Sequence, residues 1–246
     1  MGNGMKPNAI TVLAALFIGV GVAFGGFFVG QGFVKARLGD RSVSVKGLSE
    51  RDVTADLALW PIRFVVTGNE LAAVQAKVKQ DSRTVTEFLR KHGFDDGNIA
   101  VESPQVTDLL AQAYRSGPVE SRFIIAQLVM LRSNDVDKVA QANRDAGKLV
   151  EAGIVLSSDQ GPSRPSYLFT RINERKSEMI EEATRRAREA AETFARDSGS
   201  HLGGIRRAYQ GQFEILARDN APGISESEQI AKTLRVVSTI EYRLAD

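Results

Sequence analysis

The stretch from Pro7 to Val34 carries no charged side chain over 28 residues, and it lies between Lys6 and Lys35. A helix needs about 20 apolar residues to cross a hydrocarbon core about 30 Å thick. This stretch exceeds that length, so it can span a bilayer with some tilt. The sequence therefore predicts a single membrane span within residues 1–40, a segment that also holds the N-terminal tail and a short flank.

Two other interpretations of this apolar stretch stay open, a cleaved signal peptide and a buried helix of a soluble protein. The apolar part of a signal peptide is usually 7–15 residues long, and no A-x-A-like cleavage site follows this one. We therefore favour an uncleaved signal anchor. The flanking charges do not set its orientation in the membrane, because Lys6 precedes the span and residues of both charge signs follow it. The residues that follow it are Lys35, Arg37, Asp40 and Arg41.

Glycines crowd the predicted span, and two pairs have the G-x-x-x-G spacing that lets helices approach closely. The pairs are Gly21 with Gly25, and Gly26 with Gly30. Chance spacing in a glycine-rich span is the alternative explanation.

The composition of the chain excludes several classes of function. There are no cysteines, so disulfide bonds and thiol catalysis are excluded. The net charge is +2 with both signs spread along the chain, so no basic stripe indicates nucleic-acid binding. Residues 41–246 are numerous enough for one large domain or two small ones, and we treat them as one α+β domain.

Strand patterns open this domain. Residues 41–46 alternate apolar and polar and predict a short strand that ends at Gly47. A longer strand is predicted over residues 52–67, where the apolar positions change parity at Trp60-Pro61. Since a regular strand cannot bury both sets on one face, we expect a bulge at residues 59–62.

Three helices are predicted, over residues 70–91, 134–153 and 173–198. Asn69 and Asn134 are the expected N-caps, and Gly93 is the expected C-cap of the first helix. The third helix has an apolar stripe and an opposite solvated face with i,i+4 ion pairs. The stripe consists of Met179, Ile180, Ala183, Ala187, Ala190, Ala191, Phe194 and Ala195.

Further strands are predicted at residues 99–108, 154–157 and 166–169, and near Ile205. Residues 122–132 are apolar on both faces, which is typical of a central strand. Residues 218–230 read as a loop, and residues 234–244 alternate as a final strand. Strands and helices are mixed, with hairpin-like neighbours, so the predicted fold is α+β with helices on a mostly antiparallel sheet.

Three segments together resemble the SIMPL domain family, a bacterial group of largely uncharacterised domains. Val43-Ser44-Val45-Lys46-Gly47 leading to Ala55-Asp56-Leu57-Ala58 is similar to the first hairpin of the family, and residues 137–153 are similar to its middle. The alanines at four-residue spacing from Ala183 to Ala195, followed by Gly199-Ser200-His201-Leu202-Gly203, resemble its last helix and glycine turn. Two departures are Ala55, where the family usually has proline, and Arg122-Phe123, where it has Gly-Tyr. The resemblance covers about residues 41–246 and implies an extracytoplasmic, envelope-associated domain that forms rings or larger assemblies, with no established catalytic residues.

Residues that carry chemistry are few. His92 lies at a predicted helix C-terminus, where a cation is favourable, and His201 lies in the glycine turn. The Ser198-Gly199-Ser200-His201 segment follows a helix and is not a G-x-S-x-G elbow. Asp95 and Asp96 are interpreted as turn formers. We therefore predict no catalytic, cofactor-binding or metal-binding residues, and no cofactor. Trp60 is interpreted as a core residue, with a ligand or partner surface as the alternative.

These observations lead to a functional hypothesis. The chain is expected to be a non-enzymatic, single-pass protein of the cytoplasmic (inner) membrane, with its domain facing the periplasm or cell exterior. We expect a homo-oligomeric scaffold or interaction protein of the envelope. The alternative is a module that binds a ligand or peptide, and a hydrolase without a recognised motif is the third. Exposed apolar patches favour assembly, whereas a formed pocket with convergent polar groups favours binding.

Overall fold

The structure is a computed structural model that describes residues 9–38, 41–111, 120–157, 163–219 and 222–245. It contains five helices and nine strands within these ranges. The helices are α1 (Ala9–Leu38), α2 (Leu71–Lys91), α3 (Val136–Arg144), α4 (Gly147–Glu151) and α5 (Lys176–Asp197). The strands are β1 (Ser42–Thr54), β2 (Leu57–Gly68), β3 (Ile99–Val101), β4 (Gln105–Asp108), β5 (Phe123–Ser133), β6 (Ser166–Leu168), β7 (His201–Gln210), β8 (Glu214–Ala217) and β9 (Ala231–Ala245).

The predicted fold class is confirmed, because the chain mixes helices with antiparallel sheets. The chain divides into two compact units. The first unit consists of Met1–Leu48, Ile180–Gly211 and Val237–Asp246, and the second consists of Ser49–Met179 and Gln212–Val236. One sheet has the order β1-β9-β7, with β8 also pairing with β9, and the other has the order β3-β5-β2-β6, with β4 also pairing with β5.

The second unit contains the larger hydrophobic core. Strand β5 lies between β3 and β2, which confirms the central position predicted from its two apolar faces. Alternate residues of β2 and β5 are buried together with the apolar sides of α2 and α3. Strand β2 pairs with β5 over its whole length, from Ala58 opposite Ser133 to Gly68 opposite Phe123.

The first unit is built on close contact between α5 and a strand. The stripe of small residues predicted from the sequence is buried at Ala183, Ala187, Ala191 and Ala195. Ala187 and Ala191 pack with Val43, Ile240 and Tyr242. A Cβ atom on Gly47 of β1 would lie 1.8 Å from the carbonyl oxygen of Ala183. Glycine therefore lets the strand pass directly beneath the helix backbone.

The predicted break at Gly47 and the bulge at residues 59–62 are both wrong. Strand β1 continues to Thr54, and the chain leaves it at Ala55-Asp56 before β2 begins. Ala58, Trp60, Ile62 and Phe64 form one buried set with a single parity along β2, and Leu57 and Leu59 lie on the other face of the same strand. Pro61 lies directly opposite Met130 in an unbroken register, and β6 pairs with β2 only over Leu57–Leu59. The expected first hairpin is also wrong, because β1 and β2 belong to different sheets.

The predicted helix caps were partly right. Gly93 has a φ of +81° directly after α2, as expected of a glycine that ends a helix. Asn69 does not cap α2; its side-chain oxygen accepts a hydrogen bond from the Arg122 N–H instead. Asp135, not Asn134, caps α3 by accepting from the Lys138 N–H at 3.0 Å.

Three shorter elements differ from the prediction. The strand predicted over residues 99–108 is divided into β3 and β4, both paired with β5. Residues 154–157 form only an isolated bridge between Leu156 and Phe64. The second predicted helix is divided into α3 and α4.

The polar side of α5 carries the predicted i,i+4 ion pairs. Arg185 pairs with Glu189, and Arg188 pairs with Glu192, each at 3.0 Å. Phe194 was assigned to the buried stripe, and this is wrong because 51% of it is exposed.

Helix α1 contains a 20-residue stretch, Val12–Gln31, that is long and apolar enough to cross a membrane. None of this stretch is buried, and phenylalanines within it are exposed, for example Phe17 at 70%. The interpretation of a buried soluble helix is therefore not supported. A membrane span and a signal sequence both fit these observations.

Candidate functional site

Asp56 is a carboxylate of the second unit with three hydrogen-bond donors. Its two oxygens accept hydrogen bonds from the Thr170 N–H at 2.8 Å, the Thr170 hydroxyl at 3.0 Å and the Arg171 Nε at 2.9 Å. Burial raises the pKa of Asp56, but the hydrogen bonds from Thr170 and Arg171 outweigh burial and leave the pKa below its usual value. Since the bonds use both oxygens, this carboxylate anchors the start of β2 and is not available as an acid or base.

A cavity of about 440 Å³ lies on one face of the five-stranded sheet in the second unit. Helices α2 and α3 contact β2, and the core side chains Trp60, Ile62 and Phe64 alternate along that strand with Arg63 and Val65. The cavity is therefore on the sheet face opposite the core. Its apolar lining includes Val65, Ile124, Ala126 and Leu128, and its polar lining includes Arg63, Glu102, Ser103, Gln105, Thr107 and Ser157.

Strand register places these residues in rows across the sheet. Ala126 lies opposite Gln105 of β4 on one side and opposite Val65 of β2 on the other. Arg63 lies opposite Leu128. Residues opposite one another in antiparallel strands point to the same face, so Gln105 and Arg63 flank an aliphatic surface.

Gln127 fixes the polar edge of the cavity. This buried side chain donates from Nε2 to the carbonyl oxygen of Glu102 at 2.6 Å and to that of Leu128 at 3.1 Å. The Glu102 N–H in turn donates to the carbonyl oxygen of Leu128 at 3.0 Å. The segment between β3 and β4 is thereby held against β5, and Glu102 keeps a defined position in the lining.

Arg63 and Arg235 of the second unit each have a buried Nε atom without a hydrogen-bond partner. Arg235 Nε lies 3.6 Å from Glu50, whereas the Arg63 side chain makes no ion pair within the part of the chain that the structure describes. Arg122 and Arg171, by contrast, pair with Asp108 and Asp56. A buried donor without a partner costs free energy, and Arg63 is the cationic side chain in the described lining of the cavity.

A comparison with protein families identifies the group to which the chain belongs. A family model described as SIMPL, protein of unknown function (DUF541), matches residues 43–241, which is most of the chain. The chain belongs to the SIMPL family. A comparison with curated proteins finds no match. The resemblance noted in the sequence is confirmed, and the SIMPL match includes the cavity, Asp56 and the Gly47 contact.

The two histidines of this SIMPL chain lie at the end of α2 and at the start of β7. His92 follows α2 as predicted, with Nδ1 2.8 Å from the carbonyl oxygen of Phe88 and Nε2 3.0 Å from Asp145 Oδ2. Hydrogen bonds from Lys148 and His92 keep the pKa of Asp145 below its usual value. His201 is the exposed first residue of β7. The two histidines lie in different units of the SIMPL chain, and neither lines the cavity.

Trp60 and Ser198, two residues considered for a functional role in the sequence, make contacts within the fold. Trp60 is 2% exposed, packs edge-on against Phe88, and donates from Nε1 to the carbonyl oxygen of Ser163 at 3.0 Å. The core interpretation of Trp60 is therefore supported. The Ser198 hydroxyl donates to the carbonyl oxygen of Ala195 at the end of α5. Among the residues that the SIMPL structure describes, no group of three or more His, Asp or Glu side chains is arranged to hold a metal ion.

Sequence reasoning did not single out Arg63 or Glu102. One signal was available, since Arg63 is the one charged residue between Leu57 and Val66 in an otherwise uncharged strand. A charge at such a position faces away from the core, but only the register with β5 shows which residues share its face.

Proposed function

We propose that this SIMPL chain is a membrane-tethered protein of the cell envelope that works by self-assembly. In this proposal α1 is the tether, the domain faces the periplasm or cell exterior, and copies associate through strand β7. The role is structural and needs no catalysis.

Strand β7 is the observation that carries the proposal. It pairs with β9 on one side and lies at the end of the order β1-β9-β7. Most of its ten residues are exposed, including Ile205 at 56% and Tyr209 at 66%. Its last four residues, Arg207–Gln210, pair with β9 in regular register after two shifts earlier in the strand. Among the described strands β7 pairs with β9 alone, and an edge of this kind with exposed apolar side chains supports addition of a strand from a second copy.

Helix α1 supports the tether. Its glycines, among them Gly21, Gly25, Gly26 and Gly30, have no atom within 4 Å of an added Cβ, so their faces are open to a second helix. Confinement to a membrane raises the effective concentration of the domains. Weak pairing through β7 would then suffice for assembly.

The assembly test is the mass of the fragment that begins at Arg41, measured by light scattering over a range of concentrations. We expect oligomers from the unmodified fragment and monomers from the double variant Ile205→Lys, Tyr209→Lys. The matched control is Val150→Lys, Val155→Lys, which places the same charges on equally exposed valines of the second unit. The control should still form oligomers. An unmodified fragment that stays monomeric at every concentration contradicts the proposal.

The tether and orientation need separate measurements on the full chain. We expect the chain to resist carbonate extraction and to keep its N-terminus, and an alkaline phosphatase fused after Asp246 to be active. A mature N-terminus near Ala36 or Leu38 would show that the segment is a cleaved signal. The variants His92→Ala and His201→Ala should keep the biological activity, and a loss in either with an intact fold would favour an enzyme or ligand site.

Ligand binding is the second candidate function, and the cavity beside Arg63 is the observation that favours it. A volume of about 440 Å³ falls within the range of small-molecule sites.

A further inference from the structure

Two unpartnered charges of opposite sign line the cavity of the second unit. Arg63 and Glu102 both belong to its lining. Neither makes an ion pair with any residue in the described ranges, so they are not within ion-pair distance of each other. The aliphatic surface of Ala126 and Leu128 belongs to the same lining. We propose that this cavity binds a short peptide or amino-acid derivative with a free carboxylate and a free ammonium group.

The proposal gives a ligand class to the second candidate function and rests on it. It does not rest on assembly through β7, because every lining residue belongs to the second unit.

The carboxylate of the ligand is assigned to Arg63. A guanidinium group matches a carboxylate with two parallel N–H donors. Its Nε is enclosed by the protein without an acceptor, so the contact is assigned to the two Nη groups of this half-buried side chain, which makes no ion pair with a described residue. Ser157 fixes the backbone at this point, because its N–H donates to the Arg63 carbonyl oxygen at 3.0 Å.

The ammonium group is assigned to Glu102. Its backbone is held between the Gln127 side chain and the Leu128 carbonyl oxygen, so its side chain is attached at a fixed position of the lining. Glu102 is exposed, and an exposed ion pair is worth little because water screens it. Arg63 should therefore contribute more to affinity than Glu102.

The remaining lining fits a short peptide body. Ile124, Ala126 and Leu128 are half-buried and present aliphatic carbon. Gln105 and Thr107 offer side-chain amide and hydroxyl groups beside them, which suit a peptide bond. The charged side chains among the described lining residues sum to zero, so an oligophosphate or nucleotide would bring several negative charges against one arginine. Phe64, the aromatic residue among these described lining residues, is buried in the core and offers no face for stacking.

The test is a calorimetric titration of the full chain in detergent micelles with the dipeptide alanyl-leucine. Two derivatives remove one charge each from the ligand without touching the protein. N-acetyl-alanyl-leucine lacks the ammonium group, and alanyl-leucine amide lacks the carboxylate. The protein variants are Arg63→Met and Glu102→Gln, with Arg132→Gln as the matched control. Arg132 is an exposed arginine of β5 outside the lining.

Each change has an expected effect on affinity. Replacing the dipeptide by its amide, or Arg63 by methionine, should each weaken binding about thirtyfold. The amide should bind the Arg63→Met variant as well as it binds the unmodified chain, because the Arg63 contact is already absent. The N-acetyl derivative and Glu102→Gln should each weaken binding about threefold. Arg132→Gln should bind like the unmodified chain.

Three outcomes overturn the proposal. They are an absence of binding with dipeptide up to about 10 mM, an amide that binds as well as the free dipeptide, and an N-acetyl derivative that binds as well as the free dipeptide. If Arg63→Met alters the thermal melting curve, its binding data are set aside because the fold has changed. The affinities of the three ligands for the unmodified chain then decide whether the proposal holds. Sedimentation of the same sample measures its mass and therefore shows whether the chain is assembled. A failure to bind the dipeptide can then be told apart from a failure to assemble.

Discussion

Replacing Gly47 by alanine should destabilise the first unit strongly, although it adds only one methyl group. That methyl would lie 1.8 Å from the Ala183 carbonyl oxygen and 2.5 Å from the Ala187 backbone nitrogen. Both atoms belong to the backbone of α5, so no side-chain rotation removes the overlap. The helix and β1 must separate by more than 1 Å, because a Cβ atom stays at least 3.0 Å from other heavy atoms.

The cost follows from the packing that this separation disturbs. Ala187 and Ala191 form a small cluster with Val43, Ile240 and Tyr242, and alanines have no longer side chain that can fill the gap. Overpacking of a rigid core costs about 1 to 3 kcal/mol. Since backbone is involved here, we expect a loss near the upper end, about 3 kcal/mol.

The assay is denaturant unfolding of the fragment that begins at Arg41, followed by far-UV circular dichroism. Gly47→Ala should lower the midpoint without a change of slope. The matched control is Gly204→Ala, a strand glycine of the same unit with no atom within 4 Å of the added methyl. It should change stability by no more than about 0.5 kcal/mol. A Gly47→Ala fragment as stable as the control would refute the close contact between α5 and β1.

Three further variants test the second unit. Asp56→Ala should cost about 2 kcal/mol, because Thr170 and Arg171 lose their acceptor. The folded pKa of Asp56 is lowered, so its contribution is present above the unfolded pKa near 3.9 and is lost as pH falls through the folded value. The difference between variant and unmodified chain, measured by unfolding at a series of pH values, should shrink below about pH 4; a constant difference would contradict this. Glu226→Ala should cost about 3 kcal/mol and more than Lys232→Met, because Lys232 is fully buried against Glu226 while Glu226 is partly exposed. Denaturant unfolding that ranks the two variants in the opposite order would show that the buried cation is satisfied in another way.

The elements that the sequence predicted correctly are those with long, uninterrupted periodicity. Helix α2, the central strand β5 and the alternating strand β9 were located to within about three residues. The failures lie where a local signal has two physical origins. The sequence predicts that a short strand ends at Gly47, but β1 continues to Thr54 and this glycine allows the close approach to α5. The parity change near Trp60 suggests a bulge, but Leu57 and Leu59 lie on the other face of the regular strand β2, in which Ala58, Trp60, Ile62 and Phe64 form the buried set.

The site was less predictable than the fold for a related reason. Arg63, Glu102 and Gln105 lie on three separate stretches of the chain, and only the register of β2, β4 and β5 brings them to one cavity. Periodicity reports which face a residue occupies, but it does not report which strands are neighbours. Trp60, by contrast, was interpreted correctly as a core residue from its size and apolar surroundings alone.

The position of β9 has a consequence for the order in which this chain folds. Strand β9 follows every other strand along the chain, yet it lies between β1 and β7. Ser42 at the start of β1 donates to Glu241 of β9, 199 residues away. Pairings between strands so far apart in sequence form slowly, because the chain loses the entropy of closing a long loop before any contact stabilises it. A growing chain therefore holds β1 without its neighbour until residues 231–245 have been made. A nascent chain stopped before Ala231 would have no strand to join β1 to β7, so this sheet has no smaller folded precursor.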